Sequence, residues 1–153
     1  MVFSLALRAL RDRAVAEELA QDVFLQLYGQ MDRIESAQHA TWWLRKTTSH
    51  RAIDEIRKRR FRPVAGLENV PEPSERGTQP DFFLDDRLRK LVGALPEKAR
   101  MVVVLRYQED LDPMDIAEML EMPVATVKSH LHRSLAFLRG KLEKGFRVLE
   151  GLA

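Results

Sequence analysis

Apolar residues recur along this chain at intervals of three and four, and no stretch shows the alternation that a strand needs. Val15, Leu19, Val23 and Leu27 are four apart, with Phe24 and Tyr28 beside them. Glu17, Glu18, Gln21, Asp22 and Gln26 fall elsewhere, so residues 13–29 predict one amphipathic helix. The segment MVFSLALRAL before it reads as another helix, since Arg8, Arg11 and Arg13 follow it and no small-residue cleavage site does, unlike a signal peptide. Residues 41–60, TWWLRKTTSHRAIDEIRKRR, predict a further helix with Trp43, Ile53 and Ile56 toward a core and a cationic end. The pattern stops over residues 61–80, where Pro63, Gly66, Pro71, Pro73, Gly77 and Pro80 interrupt any regular element. That stretch predicts a linker, being too long for a loop inside a compact domain. Structure resumes at Leu84, Leu88, Leu91, Val92 and Leu95 and continues after Pro96 with residues 101–105. The expected fold class is all-α, in two small helical domains: residues 1–60 and 81–153, joined by the linker at 61–80.

The last element is the most informative. In LDPMDIAEMLEMPVATVKSHLHRSLAFLRGKL, Ile116, Ala117 and Leu120 form one side of a short helix, and Val127, Leu131 and Leu135 recur after a break at Glu121, Met122 and Pro123. Asp112 is placed to accept amide hydrogens, Pro113 suits the first helical position, and Asp115 follows three residues after the cap. This is the spacing of a helix-turn-helix that reads DNA. Charge separates its helices. Glu109, Asp110, Asp112, Asp115, Glu118 and Glu121 surround the first, whereas residues 122–142 hold Lys128, Arg133, Arg139 and Lys141 with no carboxylate. Only the second can approach phosphate without repulsion. Thr126, Lys128, Ser129, His130, His132 and Arg133 are the candidate DNA contacts on it, since recognition helices touch base edges from their N-terminal half. A pair of ordinary surface helices with a solvated basic face is the alternative.

Composition narrows the classes. The chain has 153 residues, 45% of them hydrophobic, and no cysteine, so disulfides, thiolate metal sites and thiol nucleophiles are excluded together. No apolar run reaches membrane-spanning length. The net charge of +2 says little, but residues 1–60 carry 11 basic against 8 acidic side chains, concentrating the positive excess in the N-terminal part. Arg45, Lys46, Arg51, Arg57, Lys58, Arg59, Arg60 and Arg62 lie close together there, with only Asp54 and Glu55 among them, directly after Trp42 and Trp43. Such density suits a phosphate backbone, and an aromatic beside it can stack an unpaired base. The bland alternative is Trp43 in the core and a solvated basic helix end favoured by the helix dipole. No nucleophile and base pair, carboxylate dyad, glycine-rich phosphate loop or metal-ligand cluster is legible, so neither an enzyme, a cofactor nor a metal is expected.

Taken in order, these segments resemble a bacterial RNA polymerase sigma factor of the extracytoplasmic-function group, in the sigma-70 family. AEELAQDVFLQLY looks like the helix that docks on polymerase, WWLRKTTSHRAIDEIRKRR like the segment that captures the minus-10 promoter element, and LPEKARMVVVLRY with ATVKSHLHRS like the domain that reads the minus-35 element. The resemblance implies minus-35 contacts from Thr126, Lys128, Ser129, His130, His132 and Arg133 and minus-10 contacts from Trp43, Lys46, His50, Arg51 and Arg57. It places Asp22 and Gln26 against polymerase. The implied partners are core RNA polymerase, promoter DNA and an anti-sigma factor, the implied setting is cytoplasmic, and no membrane insertion is expected. Departures from the family pattern are specific: His50 replaces the usual asparagine, His130 the usual arginine, and Asp110 and Glu121 stand where glycines serve two turns. Members usually begin further upstream, so the first helix is expected to be short. A stand-alone helix-turn-helix regulator, which leaves the docking-like helix and the basic segment unused, and a helical protein-interaction module without DNA function are the alternatives.

Overall fold

A computed structural model describes residues 1–61 and 82–151, so the expected linker lies, except for Phe61, outside the described residues. Among the described residues there are seven α-helices, one short 3-10 turn at Met31–Arg33 and no strand. The helices are α1 Val2–Leu10, α2 Arg13–Gly29, α3 Ala37–Phe61, α4 Phe82–Gly93, α5 Glu97–Tyr107, α6 Pro113–Leu120 and α7 Val124–Gly151.

Local chemistry sets their ends. In α1, Val2, Leu5, Ala6, Ala9 and Leu10 are buried, the three-and-four spacing of a single apolar face. Arg11 ends it in the left-handed region at φ 55°, and its amide bonds back to the Leu7 carbonyl. Asp12, in extended backbone, then accepts the Val15 amide at 3.2 Å and starts α2. Helix α3 begins earlier than the apolar pattern predicts. The Ser36 hydroxyl accepts the His39 amide at 3.0 Å, and His39 Nδ1 accepts the Glu35 amide at 3.2 Å, a reciprocal cap that carries no hydrophobic signature.

Helix α5 explains how the halves meet. Its five consecutive residues Met101, Val102, Val103, Val104 and Leu105 are all buried, which requires neighbours all round. It has them: α1 and α3 pack against it, and so do α4, α6 and α7. One continuous apolar core therefore runs from Leu5, Val23 and Ile53 through Met101 and Leu105 to Ile116, Met119 and Val127. A smaller cluster of Leu95, Ala99 and Val103 fills another side of α5. Arg100 ties the halves polar-wise, donating to the Ala9 carbonyl at 2.7 Å and to the Leu95 carbonyl at 3.2 and 3.0 Å. Ala9 is in the last turn of α1, whose carbonyls have no partner within their own helix.

Three positions of the apolar pattern lie outside the core. Leu135 is 37% exposed, and the buried stripe of α7 runs through Val127, half-buried Leu131, Ser134 and Leu138. Eight residues after Val127, Leu135 has rotated about 80° away. In α2, Phe24 and Tyr28 are exposed although Leu19 and Val23 beside them are buried, so the C-terminal turns of this helix present apolar surface to solvent.

Candidate nucleic-acid interface

The helix-turn-helix forms as its cap chemistry predicts. Asp112 accepts the Asp115 amide at 2.9 Å, Pro113 occupies the first turn, and α6 buries Ile116, Met119 and Leu120. It ends at Glu121 in the left-handed region at φ 55°, with the Met122 amide bonded to the Ala117 carbonyl at 3.0 Å. Asp110, in the preceding turn, also has φ 55°. The two positions where glycine was expected do have a glycine conformation, occupied here by carboxylate residues.

On α7, Thr126, Ser129, His130 and Arg133 fall at helical spacing and line one open depression with Ala125. Lys128 and His132, one turn apart, are exposed to the side of it. Among the described residues, neither Lys128 nor Arg133 has a carboxylate within ion-pair distance. Burial, then Arg133 and Lys98, hold His130 below its ordinary 6.5. His130 is therefore neutral at neutral pH and gains charge only in more acid solution.

The basic segment on α3 is arranged quite differently. Trp43, Lys46, His50, Ile53, Arg57 and Arg60 step by three or four and form one stripe. That stripe faces the C-terminal half. Lys46 Nζ lies 3.2 Å from Glu121 Oε1 and 5.0 Å from the Trp42 ring, and His50 Nε2 donates to the Met119 carbonyl at 2.9 Å. Arg57 Nε and an Arg60 terminal nitrogen reach the two oxygens of Glu97 at 3.3 and 2.6 Å. Beside the stripe, Arg45 meets Glu109 at 3.0 Å, where the Glu109 side chain is only 7% exposed. Trp43 is half-buried and packs against the main core. Arg51 stands apart from the other four proposed contacts, facing Asp22 of α2 at 3.5 Å. Arg59 binds Asp12 at 3.0 Å.

Sequence reasoning missed the carboxylates of this clasp. Its own backbone amide, offset by burial and then assisted by Arg57 and Arg60, holds Glu97 below the usual glutamate range. Part of the signal was present as opposite charge in two segments: six acidic residues over positions 109–121, two of which meet Arg45 and Lys46, and the cations of α3. Asp22 and Gln26 are exposed on α2, near the apolar Phe24, Leu25 and Tyr28. No group of residues able to hold a metal occurs among the described residues. None of the described helices is long and apolar enough to cross a membrane.

Two family models match, each on one half: Sigma-70 region 2 over residues 1–62 and Sigma-70 region 4 over residues 85–138. Together they define a promoter-recognition protein of the sigma-70 class. The chain is 30% identical to the ECF RNA polymerase sigma factor SigW of Bacillus subtilis, covering 92% of this chain and 82% of that one. It is 34% identical to the RNA polymerase sigma-E factor of Streptomyces coelicolor, covering 90% and 77%. The fold matches the sigma factor RpoE of Bartonella quintana, solved with the anti-sigma factor NepR, with a TM-score of 0.68 and 18% identity over 93% of this chain and 89% of that one. The chain belongs to the extracytoplasmic-function group of RNA polymerase sigma factors.

Proposed function

We propose that this sigma factor works as a two-part promoter clamp on core RNA polymerase, with residues 1–60 and 81–153 as its two domains and residues 61–80 as the connection. Helix α2 docks on polymerase through Asp22 and Gln26, and exposed Phe24, Leu25 and Tyr28 beside them supply apolar contact area. The α3 residues Trp43, Lys46, His50, Arg51 and Arg57 hold the unpaired minus-10 strand, the tryptophan by stacking and the cations by phosphate contact. Thr126, Lys128, Ser129, His130, His132 and Arg133 read the minus-35 element from the major groove. Sigma factors are initiation factors and do not themselves catalyse synthesis; the chemistry belongs to polymerase. An anti-sigma partner is part of the proposal, since the Bartonella relative was solved with one. So is a cytoplasmic setting, where polymerase works.

The observation that carries the proposal is the recognition helix itself: exposed, preceded by the capped α6 and a tight turn, with no carboxylate within ion-pair distance of Lys128 or Arg133 among the described residues, in a chain whose other half matches the region 2 model. Run-off transcription with purified core polymerase and a genomic promoter library tests it. The expected result is transcription from a defined promoter subset that requires the sigma factor. Binding of palindromic DNA as a dimer, with no retention on core polymerase in a pull-down, is the result that overturns it.

A further inference from the structure

Helix α7 is longer than base reading requires. Its 28 residues span about 42 Å, whereas Thr126 to Arg133 covers about 10 Å, close to the roughly 12 Å width of the major groove. The region 4 family model ends at residue 138, so the far half of the helix lies beyond the family match. Helix α4 holds that half in line. Arg87 donates to the Lys141 carbonyl at 3.3 Å, and Gly145 is buried beneath the same guanidinium, which a Cβ there would strike.

The face that carries Thr126, Ser129, His130 and Arg133 continues along this half. Phe137, Gly140, Lys141, Lys144 and Val148 follow Arg133 at helical spacing and stay on the same side. Phe137, Val148 and both lysines are exposed. Lys141 Nζ lies 5.8 Å from the centre of the Phe137 ring, and among the described residues no carboxylate is within ion-pair distance of either lysine. The carboxylates of this half, Glu143 and Glu150, are turned about 100° or more around the helix from Lys144. Gly140 adds an independent observation. Among the described residues a Cβ there would meet nothing within 4 Å, so packing within them gives no reason for a glycine in mid-helix, where it lowers helix stability. Close approach of another molecule does.

We propose that residues 137–148 of α7 form a second DNA surface, which holds phosphates of the duplex flanking the minus-35 element without reading its sequence. The inference rests on the reading of residues 126–133 as the base-contacting part of α7. Because the groove winds and the helix is straight, only about two turns of α7 stay inside it, and the rest passes the phosphate ridge. Recognition helices use their C-terminal ends in this way. The side chains change to match. Thr126, Ser129 and His130 are short and suit base edges close by, while Lys141 and Lys144 reach further and end in point charges that phosphate accepts from many directions. Gly140 lets the sugar-phosphate backbone come close to the helix. An acidic protein would also suit the lysines, but the unbroken continuation of the DNA-reading face favours the duplex.

Equilibrium titration of the full chain with labelled duplex tests this. Two duplexes carry a minus-35 element from a promoter that the chain transcribes with core polymerase. One ends with the element, and the other runs about one helical turn past it on each side. The natural chain binds the longer duplex about ten-fold tighter. Lys141→Gln with Lys144→Gln reduces that advantage to within about two-fold and lowers the salt slope on the longer duplex by about two. Arg8→Gln with Arg33→Gln, the same charge change at exposed residues assigned to neither DNA nor polymerase, keeps the length advantage.

A length advantage and salt slope that survive in the lysine variant overturn the flanking surface. So does an equal loss in the Arg8 and Arg33 variant, since only net charge is then at work. If the lysine variant binds both duplexes as the natural chain does but is retained less on core polymerase in a pull-down, the face belongs to a protein contact, and the DNA surface is overturned. A natural chain that binds neither duplex overturns instead the underlying reading of α7, and the flanking surface with it.

Discussion

The N-terminal half of α7 and the stripe of α3 carry similar chemistry, cations among small polar and aromatic residues, but their surroundings are opposite. Lys128 and Arg133 face solvent without a carboxylate partner among the described residues, while Lys46, Arg57 and Arg60 are each paired across the molecule. Cation density in a sequence marks where a phosphate could bind. Whether it is available is decided by what packs against it, and here a second charged segment does.

The largest effect that can break this comparison is on duplex binding. Lys128→Ala with Arg133→Ala should weaken binding of minus-35 duplex by the free chain by about 2–4 kcal/mol and flatten its salt dependence by about two counterions. Thermal stability should stay within about 0.5 kcal/mol, both side chains being exposed. Lys46→Ala with Arg57→Ala should do the reverse: duplex binding by the free chain unchanged, transcription with polymerase sharply reduced. A fluorescence titration of both variants beside run-off transcription decides it, and equal loss of duplex binding in the two pairs removes the distinction between open and covered surfaces.

Next in size is the tie between the halves. Arg100 donates to the carbonyls of Ala9 and Leu95 from a half-buried position. Arg100→Met leaves those carbonyls short of a donor and should cost about 2 kcal/mol in denaturant unfolding. Since one core spans both halves, the transition should remain single. Two separated transitions in the natural chain would mean that the halves unfold independently and that the clasp contributes little.

Which of these features were legible beforehand follows from how far each depends on distant residues. The helix-turn-helix was legible because its determinants are local: the Asp112 cap, Pro113, the turn at Glu121 and the spacing of Ile116, Leu120 and Val127 lie within sixteen residues. The unbroken apolar run of α5 was visible too, but not what it implied, namely partners on every side from both halves. Pairings such as Arg45 with Glu109, 64 residues apart, leave no periodic trace, and neither does the orientation of the α3 stripe. The early start of α3 was missed because Ser36 and His39 cap it through hydrogen bonds that hydrophobic spacing does not record.

Falling pH should act on both surfaces of the natural chain, on the covered one through Glu97 and on the open one through His130. Glu97 has its folded-state pKa lowered, so its contribution to stability is full above the ordinary 4.5 and is lost as pH falls through the lower folded value. Asp12, lowered chiefly by the Val15 amide with Arg59 assisting, behaves alike below 3.8. His130 adds a smaller term of the same direction starting at higher pH: its folded pKa is depressed, so the unfolded chain takes up the proton first as pH drops through 6.5, and stability falls. Denaturant midpoints measured from neutral to acid pH should therefore decline more in the natural chain than in Glu97→Gln at the low end. Promoter affinity at constant salt should be nearly flat above neutrality and rise only in acid, where His130 becomes charged. A rise already complete at neutral pH contradicts the shielding of His130 by burial and Arg133.

The smallest effect separates the two roles of Glu121. As a helix-ending residue at φ 55° it is strained, and Glu121→Gly relieves about 1 kcal/mol of that strain while adding back somewhat less in unfolded-chain entropy. As the partner of Lys46, with its side chain 66% exposed, it contributes under about 1 kcal/mol. The stability change should therefore lie within about 0.5 kcal/mol of zero, whereas single-strand binding by the free chain should tighten, because one cation of the stripe is released. Asp110→Gly relieves the same backbone conformation, and its ion pair at 3.8 Å is to Arg106, not to α3. It should stabilise slightly and leave single-strand binding unchanged. If the two glycine variants bind single strands equally well, Glu121 is only a turn residue, and the clasp resides in Glu97 and Glu109.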